Sequence, residues 1–112
     1  MTNWEQKLDR LYPKLGHNKR CAVCGKPAEN IHHIIPRANT LLRWDVLNLL
    51  PVCAECHQRI HEHKQQLILS PKRREYLEYM KNIDFKDFLL ANNLTKEDFY
   101  KLKEKELNEA IK

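Results

Sequence analysis

The sequence predicts an α+β fold in which a β-hairpin and the helix after it are held together by cysteines. Two runs rich in β-branched and aliphatic residues, 31–35 and 46–52, are typical of paired strands. Residues 53–69 contain no glycine or proline and carry a helical pattern. Two Cys-X-X-Cys pairs bracket the hairpin and open the helix, at Cys21/Cys24 and Cys53/Cys56.

The chain of 112 residues has the length of one domain with appendages. We expect an N-terminal helical arm over residues 1–20, a metal-stabilised domain over 21–69 and a helical extension packed on the core over 70–112. The middle segment is too short to bury enough apolar surface by itself, so a metal ion is a physically reasonable source of stability.

The helices on either side have recognisable starts. Thr2 and Glu5 form a capping-box pair, and the helix they open should end at Pro13. Its apolar stripe should cover the metal-stabilised domain. Ser70 begins a second helix, to about residue 81, and Thr95 a third, to about residue 111, which makes a two-helix C-terminal extension.

The net charge of +5 is unevenly distributed. Residues 1–70 carry ten lysines and arginines against six acidic residues, whereas residues 71–112 carry ten against nine. A polyanion such as DNA would therefore dock on the cysteine-containing half. There is no apolar run of signal-peptide or membrane-span length, so we expect a cytoplasmic protein with no membrane partner.

The four cysteines are predicted to be ligands of a structural zinc ion. A Cys-X-X-Cys turn delivers two sulfurs at the spacing that tetrahedral zinc requires, and Gly25 after the first pair is free to adopt a positive φ. In a reducing compartment, metal binding is favoured over disulfides. The alternative is buried or redox-active thiols, which two pairs of identical spacing make less attractive.

A second metal site is predicted from histidines. His57 and His61 are four residues apart on the predicted helix, so they share one face, where they form either a solvated pair or two ligands of one ion. His32 and His33 lie on the first strand and must point to opposite faces. One of this doublet should therefore bind the ion while the other flanks it, a division suited to phosphodiester hydrolysis.

The runs IHHIIPR, RWDVLNLLPVC and CAECHQRIH resemble the HNH endonucleases of the ββα-metal type, in the subgroup held by a four-cysteine zinc. The resemblance covers about residues 21–63. It implies a ββα-metal (HNH) core and a nuclease domain over 21–69. The Arg-Trp-Asp run followed by Asn-Leu also resembles small phage-encoded HNH proteins linked to recombination, which implies a bacterial or phage origin.

The resemblance also implies a role for each residue of the set. His32, His57 and His61 would bind the catalytic ion, and His33 would be the general base that activates water. Asn48 would hold His33 in orientation by bonding to backbone across the 38–45 loop; without the family pattern it is an ordinary turn or capping residue.

The activity that follows is metal-dependent DNA endonuclease chemistry that leaves 5′-phosphate and 3′-hydroxyl ends. Three imidazoles favour Mn²⁺, Zn²⁺, Ni²⁺ or Co²⁺ over Mg²⁺ in affinity, although Mg²⁺ remains a candidate for turnover. No organic cofactor is expected, and we favour a monomer.

The 38–45 loop is long for a hairpin and should be functional. We predict that Arg37 and Arg43 clamp the DNA backbone, because the guanidinium fork suits phosphate oxygens. Trp44 should close the core rather than stack on a base, and His17 and His63 should lie at the surface.

Two other functions compete with the nuclease. A non-catalytic zinc-dependent DNA-binding or docking module would bind DNA in a salt-dependent manner without cleaving it. A domain with two structural zinc ions would have no open coordination position.

Overall fold

The computed structural model describes residues 1–112 and confirms the α+β class. A two-stranded hairpin lies between one N-terminal helix and four helices that follow it. The elements are α1 (Asn3–Leu11), a 3₁₀ turn (Tyr12–Gly16), β1 (Asn30–His33), a 3₁₀ turn (Val46–Asn48), β2 (Leu49–Val52), α2 (Ala54–His61), α3 (Pro71–Met80), α4 (Phe85–Ala91) and α5 (Lys96–Ile111).

The hairpin is antiparallel and shorter than predicted. Its register pairs His32 with Leu50 and His33 with Leu49. Residues 46–48, expected in the second strand, form a 3₁₀ turn because the Asp45 side chain accepts a hydrogen bond of 2.9 Å from the backbone N–H of Leu47. Such a local side-chain bond competes with strand pairing.

The N-terminal capping box is present, since Thr2 and Glu5 each accept a 3.1 Å bond from the other's backbone N–H. The prediction that the helix ends at Pro13 is wrong. The helical path continues to Gly16 as a 3₁₀ turn in which Pro13 lies in the first two positions. Proline is tolerated there because it has no intrahelical N–H bond to lose.

The helix after β2 is also shorter than predicted, ending at His61 rather than near residue 69. His63 adopts a left-handed conformation with φ of 58°, which stops the helix. The residues that follow run without regular structure, and Ile68 there is 96% exposed. An absence of helix breakers was therefore a poor guide to where the helix ends.

The C-terminal extension has three helices rather than two. The predicted starts at Ser70 and Thr95 are confirmed as N-caps. Between them α4 begins at Asp84, whose side chain accepts a 3.1 Å bond from the N–H of Asp87. This helix has only seven residues, about two turns, so its helical pattern is weak in the sequence and we did not predict it.

One apolar core joins the N-terminal helix, the 38–45 loop and the C-terminal helices. Trp44 is fully buried, as predicted, and its ring meets Tyr100 edge-on at a centroid distance of 5.8 Å. The buried residues of this core are Leu8, Leu15, Leu41, Leu42, Trp44, Leu49, Leu77, Met80, Leu89, Phe99, Tyr100 and Leu107.

A second and much smaller core surrounds the cysteines. Only Leu50 and Val52 accompany Cys21, Cys53 and Cys56 as its buried members.

Among the helices, none combines the length and apolar character that crossing a bilayer would require.

Candidate metal centre and active site

The four cysteine sulfurs converge at one point. All four Sγ atoms lie within 4.8 Å of one another, and those of Cys24 and Cys53 are 3.7 Å apart. Tetrahedral zinc with bonds of about 2.3 Å to sulfur requires sulfurs about 3.8 Å apart. Backbone N–H groups of Val23 and Cys56 donate to Sγ of Cys21 and Cys53, each at 3.4 Å. The residues thus fit a structural zinc ion.

The thiols differ in how readily they ionise. Burial raises the pKa of Cys21, but hydrogen bonds from backbone N–H groups outweigh it and bring that pKa to about 6. Burial and the neighbouring thiols raise the pKa of Cys56 to about 12. Without a cation, the four thiols resist losing all their protons together, because neighbouring thiolates repel one another. A bound cation stabilises all four thiolates at once.

Three imidazoles, one from β1 and two from α2, form a second cluster. Ring nitrogens of His32, His57 and His61 lie within 4.8 Å of one another, and the Nε2 atoms of His57 and His61 are 3.0 Å apart. Two nitrogens bound to one ion at about 2.0–2.1 Å lie about 2.9–3.4 Å apart in octahedral or tetrahedral geometry. The three side chains fit a shared divalent ion.

His32 is the buried member of this cluster, on the strand that faces α2. Burial, followed by repulsion from His57 and His61, lowers its pKa to about 4. Burial also lowers the pKa of His57. Neutral imidazoles keep the lone pair that a metal ligand needs.

His33 points away from this cluster, as strand alternation requires. Its Nε2 lies 2.9 Å from the backbone carbonyl oxygen of Arg43. Because a carbonyl only accepts, Nε2–H is assigned as the donor and Nδ1 keeps the lone pair. The Tyr12 ring packs edge-on against the imidazole at 5.0 Å between centroids. Burial lowers the pKa of His33, and the bond to the Arg43 carbonyl raises it by less. The imidazole therefore stays neutral to a lower pH than a free imidazole does.

One open cavity of about 770 Å³ is bordered by the imidazole cluster and by His33. The His33 imidazole and the imidazole cluster therefore face the same solvent-accessible cavity. The side chains that matter for chemistry in its lining are His32, His33, Arg37, His57 and His61.

Asn48 connects the hairpin to its loop. It is 0% exposed. Its Oδ1 accepts a 2.7 Å bond from the N–H of Ile35, and its Nδ2 donates 3.0 Å bonds to the carbonyls of Ile35 and Leu42. The amide thereby fixes the 38–45 loop, which carries the Arg43 carbonyl, against the end of β1.

Comparison with known proteins bears on the same segment. Residues 21–63 match the family model described as HNH endonuclease. These residues form an HNH endonuclease domain.

The chain is also similar to part of a longer protein. The chain is 39% identical over 54 residues to the mitochondrial DNA mismatch repair protein mutS homolog of Sarcophyton glaucum, which covers 43% of this chain. The chain spans about 5% of that relative's length, so the similarity concerns one segment of it. No solved structure shows a significant match.

Arg43 has contacts other than those we predicted for it. Its side chain is 14% exposed and forms a forked ion pair with Asp9 of α1, in which Nε and one terminal nitrogen donate to the two carboxylate oxygens. Glu5 lies 3.8 Å away and the Trp44 ring 4.9 Å away. Its donors are turned towards the N-terminal helix, and its contact with DNA phosphates stays a prediction.

Sequence reasoning missed the part that α1 and the turn after it play beside the HNH domain. Asp9 contacts Arg43, and Tyr12 contacts His33. The apolar stripe of this helix predicted its burial, but no sequence signal indicated that Asp9 reaches a residue 34 positions away. His17 and His63 lie at the surface, as expected.

Replacing Asn48 with alanine should destabilise the protein strongly. The change leaves two carbonyls and one N–H without their partner, which costs about 2–5 kcal/mol of unfolding free energy. Urea unfolding followed by circular dichroism measures the loss.

The matched control is Asn82→Ala, which removes an exposed amide with a single 3.3 Å bond to the Glu78 carbonyl. That variant should unfold within about 0.5 kcal/mol of the parent. An Asn48→Ala protein as stable as the Asn82→Ala protein would contradict the structural role assigned to the buried amide.

Proposed function

We propose that this protein is a metal-dependent DNA endonuclease that leaves 5′-phosphate and 3′-hydroxyl ends. One observation carries the proposal: an imidazole with a free Nδ1, that of His33, borders the same cavity as three imidazoles able to share an ion. The HNH family of residues 21–63 supports DNA as the substrate. The similar mutS homolog is named for DNA mismatch repair, which is consistent with a DNA partner.

His32, His57 and His61 would hold the catalytic ion. When bound, such an ion supplies positive charge for the scissile phosphate and for the departing 3′ oxygen. Imidazole ligands favour Mn²⁺, Zn²⁺, Ni²⁺ or Co²⁺ in affinity, and Mg²⁺ is also tested because affinity and turnover need not run together. Cys21, Cys24, Cys53 and Cys56 would hold the structural zinc.

His33 would act at Nδ1. It takes a proton from the attacking water, while its Nε2–H remains bonded to the Arg43 carbonyl and stabilises the imidazolium that forms. Asn48 assists from a distance, because it fixes the loop that presents this carbonyl. Burial lowers the pKa of His33, which favours the neutral form that a general base requires.

Arg37 remains the proposed phosphate contact. It is 55% exposed, borders the cavity, and has one 3.0 Å bond to Asp9, so most of its donors face solvent. A phosphate oxygen at the cavity could take those donors without breaking a buried pair.

Replacing His33 with alanine should slow cleavage strongly without unfolding the protein. Loss of a general base lowers turnover by about 10²- to 10⁴-fold. Supercoiled plasmid is incubated with each divalent ion, with EDTA as the metal-free arm, and nicked and linear products are quantified on gels. Product ends are identified by whether ligase reseals the nick.

His17→Ala is the matched control, because it removes a surface imidazole outside the cluster and should cleave like the parent. A folded His33→Ala protein that nicks as fast as the parent would remove His33 from the mechanism. No scission with any ion, together with salt-dependent DNA binding, would instead favour the non-catalytic DNA-binding module. Bacterial or phage origin, a cytoplasmic location and a monomeric state remain predictions.

A further inference from the structure

Asp9 of α1 is saturated with hydrogen bonds from the hairpin side of the molecule. Its Oδ1 accepts from Nε1 of Trp44 at 2.9 Å and from Nε of Arg43 at 3.1 Å. Its Oδ2 accepts from terminal nitrogens of Arg43 and of Arg37, the latter at 3.0 Å. A carboxylate has about four lone-pair sites, so none is left over for solvent.

Arg43 connects this carboxylate to the proposed base. Its guanidinium is held in the forked pair with Asp9, and its carbonyl oxygen is the acceptor of His33 Nε2–H at 2.9 Å. Side chain and carbonyl belong to the same residue, so fixing the first restricts where the second can point. The forked geometry fixes orientation as well as distance.

The same helical segment meets His33 from a second side. Tyr12, three positions after Asp9, contacts the imidazole edge-on. The base is therefore confined between a ring from the N-terminal turn and a carbonyl that the N-terminal helix holds in place. Nothing in residues 21–63 substitutes for Asp9, because Arg43 and Trp44 both direct their side-chain donors to it.

We propose that Asp9 is a positioning residue for the nuclease reaction: acting through Arg43, it holds the carbonyl that orients His33. The proposal rests on the proposed function, since it assigns Asp9 to that reaction. It makes the N-terminal arm part of the working site and not only a cover for the core. A positional error of about 1 Å in a reacting group can cost about 10²-fold in rate, so a positioning carboxylate has a measurable effect.

Two readouts test the proposal, and one of them needs no turnover. In protein that holds only its structural zinc, NMR measures how fast the His33 Nε2–H proton exchanges with water. Asp9→Ala should speed that exchange at least tenfold, because the bond to the Arg43 carbonyl opens more often. In the plasmid assay the same change should lower kcat about tenfold or more, a larger factor than the change in KM for DNA that follows from releasing Arg37 from Asp9.

Leu8→Val is the matched control for a purely structural effect. Leu8 is a fully buried neighbour on the same helix, and its trimming loosens α1 without touching the Asp9 contacts. This variant should leave the proton exchange and kcat within twofold of the parent. Arg43→Met should reproduce the Asp9→Ala losses, and the double variant should lose no more than either single one.

If Asp9→Ala does not fold, Asp9→Asn replaces it, since asparagine keeps the shape but turns a donor towards a guanidinium. Unchanged proton exchange in the folded Asp9 variant, equal losses in Leu8→Val, or additive losses in the double variant would each overturn the proposal. A parent without nuclease activity would remove the proposed function, while the exchange measurement would still report whether Asp9 orients His33.

Discussion

Replacing Cys53 with serine should release the structural zinc and unfold the HNH domain. The small core at the cysteines has five buried residues, and three of these are cysteines. Only Leu50 and Val52 are aliphatic, so little apolar burial remains when the ion is lost. Structural zinc contributes about 10–16 kcal/mol in small zinc-dependent folds at neutral pH, and total domain stability is about 5–15 kcal/mol. The hairpin and α2 should therefore lose their fixed arrangement.

Zinc content and thermal unfolding measure this effect. The parent should retain one tightly held zinc ion through dialysis, and Cys53→Ser should retain none and lose its cooperative melting transition. Glu55→Gln is the matched control on the same helix, because Glu55 is exposed and its only charge partner, Lys26, is 3.9 Å away at the surface. Such pairs contribute about 0–1 kcal/mol. Zinc-free Cys53→Ser protein that melts like the parent would contradict the assignment.

Deleting residues 70–112 should leave a chain that does not fold. Six of the twelve buried residues in the main core lie in this segment, among them Phe99 and Leu107. Their removal uncovers Trp44 and Leu42 in the loop that carries the Arg43 carbonyl. Each large apolar side chain that returns to water costs about 1.5–3 kcal/mol, and several are uncovered together.

Near-ultraviolet circular dichroism and sedimentation of the 1–69 fragment test this expectation. The fragment should lack a fixed tryptophan signal even with zinc bound. In the full chain, Phe99→Ala should cost about 3–5 kcal/mol because the ring is 0% exposed, whereas Tyr79→Ala, 71% exposed, should cost about 0.5 kcal/mol or less. A folded, monomeric 1–69 fragment would show that the C-terminal helices do not complete the core.

Several features of the site follow from local geometry and could be predicted. Strand alternation separates His32 from His33 whatever surrounds them, and a four-residue spacing brings His57 and His61 together on any helix. The same holds for capping residues such as Thr2 and Ser70. In each case the atoms that interact are fixed by a few bonds along the chain.

The end of α2 and the helix at Phe85–Ala91 were not predictable in the same way. A left-handed residue at His63 and a short helix packed on the core are marginal by local propensity alone. Tertiary packing decides such segments, because the burial of one apolar face outweighs small differences in propensity.

The sequence by itself predicted the two Cys-X-X-Cys pairs, the pairing of His57 with His61, the separation of His32 from His33 and the α+β hairpin, since these depend on short spacings or on local residue patterns. The family resemblance then placed His32 with His57 and His61. Only the tertiary structure decided the partner of Arg43. A guanidinium pairs with both phosphate and carboxylate oxygens, and its partner is the one that the fold holds within reach. Here Asp9 does, because the apolar face of α1 is buried against the core and carries that carboxylate with it.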